Sequence, residues 1–375
     1  MSRLAGLGEW LAGAAFGVAN PAPLHDAFCR ELVRRGLPIW RCSLSLETLH
    51  PELGGIQFIW RAGEHRISTS LRAGMDSSPE YVNSPIYIVD RTGETFRRRL
   101  DRPAPELPLL EELRADGATD YVIFPLPFVD RRRSATISFA TTAPAGFSPE
   151  DIDELGVAAR IFSPYAEKHA LRRIGVDLLD TYVGHIAGEK VFDGRLDRGD
   201  VERIEAAVWF CDLRGFTAWS DVAPLDEVIV RLNEWFDRLA EPIARHRGEI
   251  LKFLGDGLLA IFPGETGDAC ARALAAAREA VAAVAEMTPP PAFGLALHVG
   301  EVGFGNVGSR TRLDFTVIGP TVNHAARLEE LTKTLHRTVL ASGVFAACIG
   351  PGSGLVPLGL HRLRDVPEPE EVWTI

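Results

Sequence analysis

Two aspartates raise the question of chemistry. Asp212 ends a continuous apolar run, residues 206–211, and Asp256 stands between Gly255 and Gly257. Carboxylates at a strand end and in a tight turn can together hold hard cations such as Mg²⁺ through oxygen. After Asp212 the stretch Leu213-Arg214-Gly215-Phe216-Thr217 turns the chain before a helix, and open amides at such a turn suit phosphate. Taken singly, an Asp in Gly-Asp-Gly is turn chemistry and an Asp at a strand end is a cap. A shared sheet is what would make them a site. Asn323 and Arg327 lie four apart on one predicted helix and so share a face.

The elements that must position these residues are readable from periodicity. Residues 206–211 form a buried strand. A helix over 225–246 has an apolar face at Leu225, Val228, Ile229, Leu232, Trp235, Phe236 and Leu239, with Gly248 just past its end. Strands 249–254 and 258–262 flank the Gly-Asp-Gly turn as a hairpin. An alanine-rich helix (268–286), strands at 293–299 and 313–318 and a helix over 321–335 follow. The order β-α-β-β-α-β predicts a ferredoxin-like split sheet within an α+β chain. In that topology the first strand lies beside the hairpin, and Asp212 and Asp256 face each other across it.

The first half reads differently. Residues 1–165 mix helices (24–35, and 149–162 opened by Ser148) with short strands at 39–46, 56–61, 121–127 and 135–141. A helical connector is expected over 166–190, with Leu171, Ile174, Leu178, Tyr182 and His185 forming one apolar seam that suits either a parallel dimer or its own domain. Residues 193–200 read as a hinge within a connector region spanning 166–200. The apolar stretch 4–18 is interrupted by Glu9 and too short to span a bilayer, so it is expected to pack on the first domain.

Composition sets outer bounds. The 375 residues allow two domains, and 46% apolar with 24% charged residues is ordinary for a globular chain. A net charge of −11 argues against a nucleic-acid partner, though not against a nucleotide neutralised by metal ions and a few local donors. Five cysteines (Cys29, Cys42, Cys211, Cys270, Cys348) include no CxxC pair, so neither a disulfide framework nor a zinc site is expected, and a reducing cytoplasm fits.

Three motifs carry a family resemblance: Phe-Cys-Asp-Leu-Arg-Gly-Phe-Thr at 210–217, Lys-Phe-Leu-Gly-Asp-Gly at 252–257, and Phe-Thr-Val-Ile-Gly-Pro-Thr-Val-Asn-His-Ala-Ala-Arg-Leu at 315–328. In this order they resemble the class III nucleotidyl cyclases, over about residues 203–373 of a catalytic domain placed at 201–375. The first half loosely resembles a GAF-type sensor domain in organisation alone. The cyclase resemblance implies that Asp212 and Asp256, with the Leu213 carbonyl, hold two Mg²⁺ or Mn²⁺ ions, and that Gly215, Phe216 and Thr217 meet the triphosphate. It implies Lys252 and Thr316 on the base, Asn323 on the ribose, Arg327 on the transition state and Arg364 on the triphosphate. Pro320 and His324 replace residues more usual in the family, and Thr316 stands where Asp is commoner.

These roles imply an adenylate cyclase: the ribose 3′-oxygen of ATP attacks the α-phosphorus and pyrophosphate leaves. Lys252 donates and Thr316 donates or accepts, which suits adenine's N1 acceptor and 6-amino donor. The resemblance further implies a homodimer, the metal ligands coming from one chain and Lys252, Thr316, Asn323 and Arg327 from the other. A small-molecule or protein regulator would act on the N-terminal domain. The competing readings are a guanylate cyclase, a catalytically weak cyclase-like nucleotide sensor, and a scaffold whose working part is the N-terminal domain.

Overall fold

The computed structural model describes every residue except 1, 14, 19, 49–51, 63, 72–76, 130–134 and 196. The chain forms two compact units, Met1–Thr181 and Tyr182–Ile375. Among the described residues no helix is long and apolar enough to cross a membrane.

The first unit begins with α1 (Leu7–Ala12) and α2 (Pro21–Arg34), the latter capped by the Asn20 side chain. Strands β1 (Arg41–Glu47), β2 (Leu53–Arg61) and β3 (Glu64–Leu71) follow. Next come α3 (Pro79–Val82), α4 (Pro85–Thr92), β4 (Phe96–Arg99), α5 (Pro108–Ala115), β5 (Asp120–Pro125), β6 (Ala135–Thr141) and α6 (Pro149–Val183). The six strands make one antiparallel sheet in the order β3-β2-β1-β6-β5-β4. Its two faces are both covered. Leu7, Leu11, Phe28, Leu32 and Phe162 close one face from α1, α2 and α6, while Val89, Leu110 and Leu113 close the other from α4 and α5. The apolar N-terminal stretch packs here, as expected: Leu4, Leu7, Leu11 and Ala15 are buried.

The connector departs from expectation. α6 is one 35-residue helix that runs through Pro164, so residues 149–162 and the start of 166–190 are a single element. Proline inside a helix forfeits one backbone hydrogen bond but does not have to end it. The break comes at Gly184, whose φ of +93° suits glycine. The expected seam is not uniformly apolar-inward: Ile174 is buried, Leu171 and Tyr182 are exposed, and His185 starts the next helix. Residue 196, in the expected hinge, lies outside the described residues.

The second unit contains α7 (His185–Phe192), β7 (Val201–Leu213), α8 (Phe216–Ser220), α9 (Leu225–Arg245), β8 (Glu249–Leu254), β9 (Gly257–Pro263) and α10 (Thr266–Ala285). It continues with β10 (Phe293–Gly308), β11 (Leu313–Ile318), α11 (Pro320–Leu335), β12 (Val339–Ser342), α12 (Gly343–Ile349), β13 (Val356–His361) and β14 (Glu370–Thr374). The core order β10-β7-β9-β8 is antiparallel throughout, with α9 and α10 as the crossovers, which is the ferredoxin-like arrangement. β14, β12 and β13 extend the sheet beyond β10, and β11 pairs β10 separately.

Residues 206–211 read as a continuous apolar run because β7 is buried on both sides. Ala207, Trp209 and Cys211 meet Trp235 and Leu239 of α9 and the alanines of α10. Ala206 and Val208 join the opposite core with Ala187 and Ala325. Two strands are longer than their apolar runs suggest. β10 extends to Gly308 through Gly300, Gly303 and Gly305, glycines that weaken a strand signal. A Cβ at Gly305 would lie 2.0 Å from the Asp200 carbonyl oxygen, so the absence of a side chain is what lets β7 begin there.

Candidate active site

Asp212 is the penultimate residue of β7 and Asp256 occupies the turn from β8 to β9. Gly255 adopts φ +68° to make that turn, and Trp235 Nε1 donates to the Asp256 carbonyl at 3.1 Å, pinning it to α9. Gly257 lets the end of β7 approach closely: a Cβ there would lie 2.9 Å from the Cys211 carbonyl and 3.1 Å from Asp212 Oδ1. Burial, then the like charge of Asp212, raises the proton affinity of Asp256, and the Asp256 and Leu213 backbone N–H groups only partly offset this. Acids crowded in this way call for a cation, and a carboxylate pair with Asp256 flanked by two glycines fits a hard divalent ion.

Two further residues at this cluster are not signalled by the motifs. Lys333 Nζ lies 3.5 Å from Asp212 Oδ2 and 4.0 Å from Glu329 Oε2. Glu329 is buried, and burial, then Asp212, pushes its proton affinity up against the pull of Lys333. Both are on α11, one turn apart. The Glu–Lys spacing of four was visible, but it reads as an ordinary helix pair, and Asp212 is 121 residues away in sequence. A Cβ at Gly294, the rung opposite Asp212, would meet Thr332 Oγ1 at 2.2 Å and Glu329 Oε1 at 2.4 Å, so glycine lets α11 approach.

Beside the carboxylates lies a cleft of about 640 Å³, lined by Leu213, Gly215, Phe216, Trp219, Arg231 and Pro291 among others. Gly215 takes φ +71° and precedes α8. Thr217 is exposed. Arg214 is tied back by its Nη2 to the Thr332 carbonyl at 2.9 Å and to that of Arg337 at 2.5 Å, which fixes the turn after Asp212.

The residues expected at the base and at the ribose lie in two separate sets of contacts. Lys252 on β8 pairs with Asp314 on β11, a partner the motifs did not signal. Thr316 is two residues further along β11, on the same face, opposite Gly305 of β10. On α11, Asn323 is exposed and Arg327 Nη2 lies 4.0 Å from Asp365 Oδ2. Arg364 joins them, 3.4 Å from Glu330 Oε1 and 3.7 Å from Asp365 Oδ2. Pro320 opens α11 at its first turn. His324 Nε2 is 2.9 Å from Glu370 Oε2, and its ring stacks on His298 at 4.1 Å. Burial, then His324, holds the His298 imidazole down to about 3.

Residues 201–343 match the family described as the adenylate and guanylate cyclase catalytic domain. An uncharacterized protein of Mycobacterium tuberculosis is 36% identical over 194 residues, covering 51% of this chain and 34% of the relative. The chain thus spans about a third of the length of the curated relatives it matches. The guanylyl cyclase Cya2 is 28% identical over 46% of this chain and 92% of that one, with a TM-score of 0.41. A bacterial light-regulated adenylyl cyclase is 18% identical over 75% of this chain and 92% of that one, with a TM-score of 0.50, a likeness of fold. Residues 201–343, within the second unit, thus match an adenylate and guanylate cyclase catalytic domain.

Proposed function

We propose that the chain converts ATP to 3′,5′-cyclic AMP and pyrophosphate in a homodimer. The observation that carries this reading is the placing of Asp212, at the end of β7, against the β8–β9 turn that holds Asp256, with Gly257 of that turn packed close to Asp212 Oδ1. Two Mg²⁺ or Mn²⁺ ions held by Asp212, Asp256 and the Leu213 carbonyl would supply Lewis-acid charge at the 3′-hydroxyl and the triphosphate. Gly215, Phe216 and Thr217 border the triphosphate, and Arg364 reaches it from the C-terminal segment. Asn323 orients the ribose, and Arg327 offsets the charge that builds on the α-phosphoryl oxygens. Lys252 donates to adenine N1 while the Thr316 hydroxyl accepts from the 6-amino group. Binding exchanges the Asp314 partner of Lys252 and the Asp365 neighbour of Arg327 for the nucleotide.

The helix α11 supports the two-chain site. Asn323 and Arg327 precede Glu329 and Lys333 by six residues, which sets the two pairs about 120° apart around the helix. The face near Asp212 is thus not the face that bears Asn323 and Arg327, and a second copy supplies the missing half. The catalytic domain corresponds to residues 201–375, following a GAF-like sensor over 1–165 and a connector over 166–200, in a cytoplasmic protein. In the first unit a cavity of about 390 Å³ lined by Ser45, Gln57, Tyr81, Asp90 and Thr136 among others is the place for a small-molecule regulator.

One observation favours guanylate cyclase as a second reading. Asp314, beside Lys252, offers a carboxylate acceptor that guanine's N1–H and 2-amino group could use. Product analysis of purified protein with ATP or GTP, each with Mg²⁺ or Mn²⁺, decides between them. Cyclic AMP as the major product supports the main reading and cyclic GMP the second. No cyclic nucleotide under any of the four conditions, with the full chain and with residues 1–200 removed, overturns both.

A further inference from the structure

The first unit holds a cluster that composition alone argued against. His25, Cys29 and Cys42 are fully buried, and one ligand atom from each lies within 4.8 Å of the others. His25 and Cys29 are four apart on α2 and so share its face. Cys42 is on β1, opposite Trp60 of β2, which in turn is opposite His65 of β3. One row across the sheet thus presents Cys42, Trp60 and His65 beneath α2. Trp60 Nε1 donates to Asp26 Oδ1 at 3.0 Å, fixing the helix over that row.

The His25 ring has distinct neighbours at its two nitrogens. Nε2 is 3.3 Å from Cys42 Sγ, and Nδ1 is 3.3 Å from His65 Nε2. If Nδ1 carries the proton and donates it to His65, the Nε2 lone pair is left facing the sulfurs. This is the arrangement in which a second imidazole orients a metal-ligating one. Tetrahedral zinc with bonds of about 2.0–2.3 Å sets its ligand atoms about 3.5–3.8 Å apart, a spacing this cluster reaches with small adjustments. Two thiolates cancel the charge of a divalent ion, so the loaded site would bury no net charge.

We propose that His25 Nε2, Cys29 Sγ and Cys42 Sγ bind one thiophilic divalent ion of the zinc class, with His65 as the residue that positions His25. Three protein ligands leave one coordination position open, and the half-buried His65 marks the approach from the surface. The ion would join α2 to β1 and so lock one face of the first unit. The binding step exchanges two thiol protons for the ion, with no redox change.

The test uses the full chain, stripped with a chelator under reductant and titrated with Zn²⁺ against a chromophoric competitor. We expect one tight ion per chain, and a sulfur-to-metal charge-transfer band when Co²⁺ replaces Zn²⁺. Cys42→Ser and the better-packing Cys42→Ala should lose affinity at least 10²-fold, while Cys348→Ser, an exposed cysteine, should bind as the parent does. His65→Ala should weaken binding by about 10–100-fold. Absence of the Co²⁺ band in the parent chain, which needs no variant to fold, overturns the proposal. So does unchanged binding in Cys42→Ala, a Cys29–Cys42 disulfide in freshly isolated protein, or binding of Cu(I) with no binding of Zn²⁺.

Discussion

The carboxylate pair of the second unit and the histidine–cysteine trio of the first are built on opposite principles. Asp212 and Asp256 are candidate oxygen ligands at the margin of a sheet, both partly buried, where Gly257 and Gly294 let neighbouring elements approach closely. His25, Cys29 and Cys42 are candidate nitrogen and sulfur ligands, fully buried at an apolar core, with His65 beside His25. Hard cations keep water and exchange readily, whereas zinc-class ions on thiolates remain bound. The contrast separates turnover from architecture: the partly exposed pair suits substrate-linked ions, and the buried trio suits a resident one.

Removing one ligand from each cluster should break the comparison most sharply. Asp212→Asn or Asp256→Asn should lower cyclic-nucleotide formation by at least about 10³-fold while leaving thermal unfolding close to the parent. Stripping zinc should do the reverse, lowering the unfolding temperature of the first unit in calorimetry while kcat at saturating Mg²⁺ persists. Loss of activity on stripping would show that the clusters are coupled.

Arg327→Ala should reduce kcat by about 10²–10³-fold. Mixed with inactive Asp212→Asn chains in equal amounts, it should recover about a quarter of the parent activity, since half of the random dimers contain one intact site of two. No recovery, with mixed dimers demonstrated by tag pull-down, removes the shared-site arrangement.

The proton affinity of Asp256 gives a smaller effect with a definite sign. Its value in the fold is raised, so the native state holds a proton that the unfolded chain has released. Without divalent ions, stability should therefore fall as pH rises from the ordinary carboxylate value through the raised one. Denaturation midpoints against pH would show the slope, and Asp256→Asn or added Mg²⁺ should flatten it. Smallest of all, Lys333→Met should change the ion-free unfolding free energy by only about 0.2–1 kcal/mol, since half of its side chain is exposed. A larger loss would mean that Lys333 is built into the carboxylate cluster.

The two clusters were not equally legible. The split sheet could be read because β7 is a two-sided apolar run and Gly255-Asp256-Gly257 can only be a turn, and those two facts bring the aspartates together. Asp314, Glu329 and Lys333 were not legible, because each acts through a partner on another element and alone resembles a solvated charge. The soft cluster was hidden more deeply. Helix spacing joins His25 to Cys29, but Cys42 is on a strand 13 residues further on and no CxxC advertises it. The long α6 was missed because Pro164 reads as a terminator, and the second half of β10 because its glycines dilute the strand pattern.

That glycine-rich half of β10 has a mechanical consequence. Gly305 faces Val201 on one side and Thr316 on the other, so the first rung of the second unit's opening strand is two strands from the residue assigned to the base. Tension applied along the chain at Val201 would load the 13-residue β7 ladder in shear, all rungs sharing the force, rather than peel it open one rung at a time. Such a joint yields little until it slips. A slip of a single residue in the next ladder, between β10 and β11, would turn Thr316 to the opposite face of the sheet.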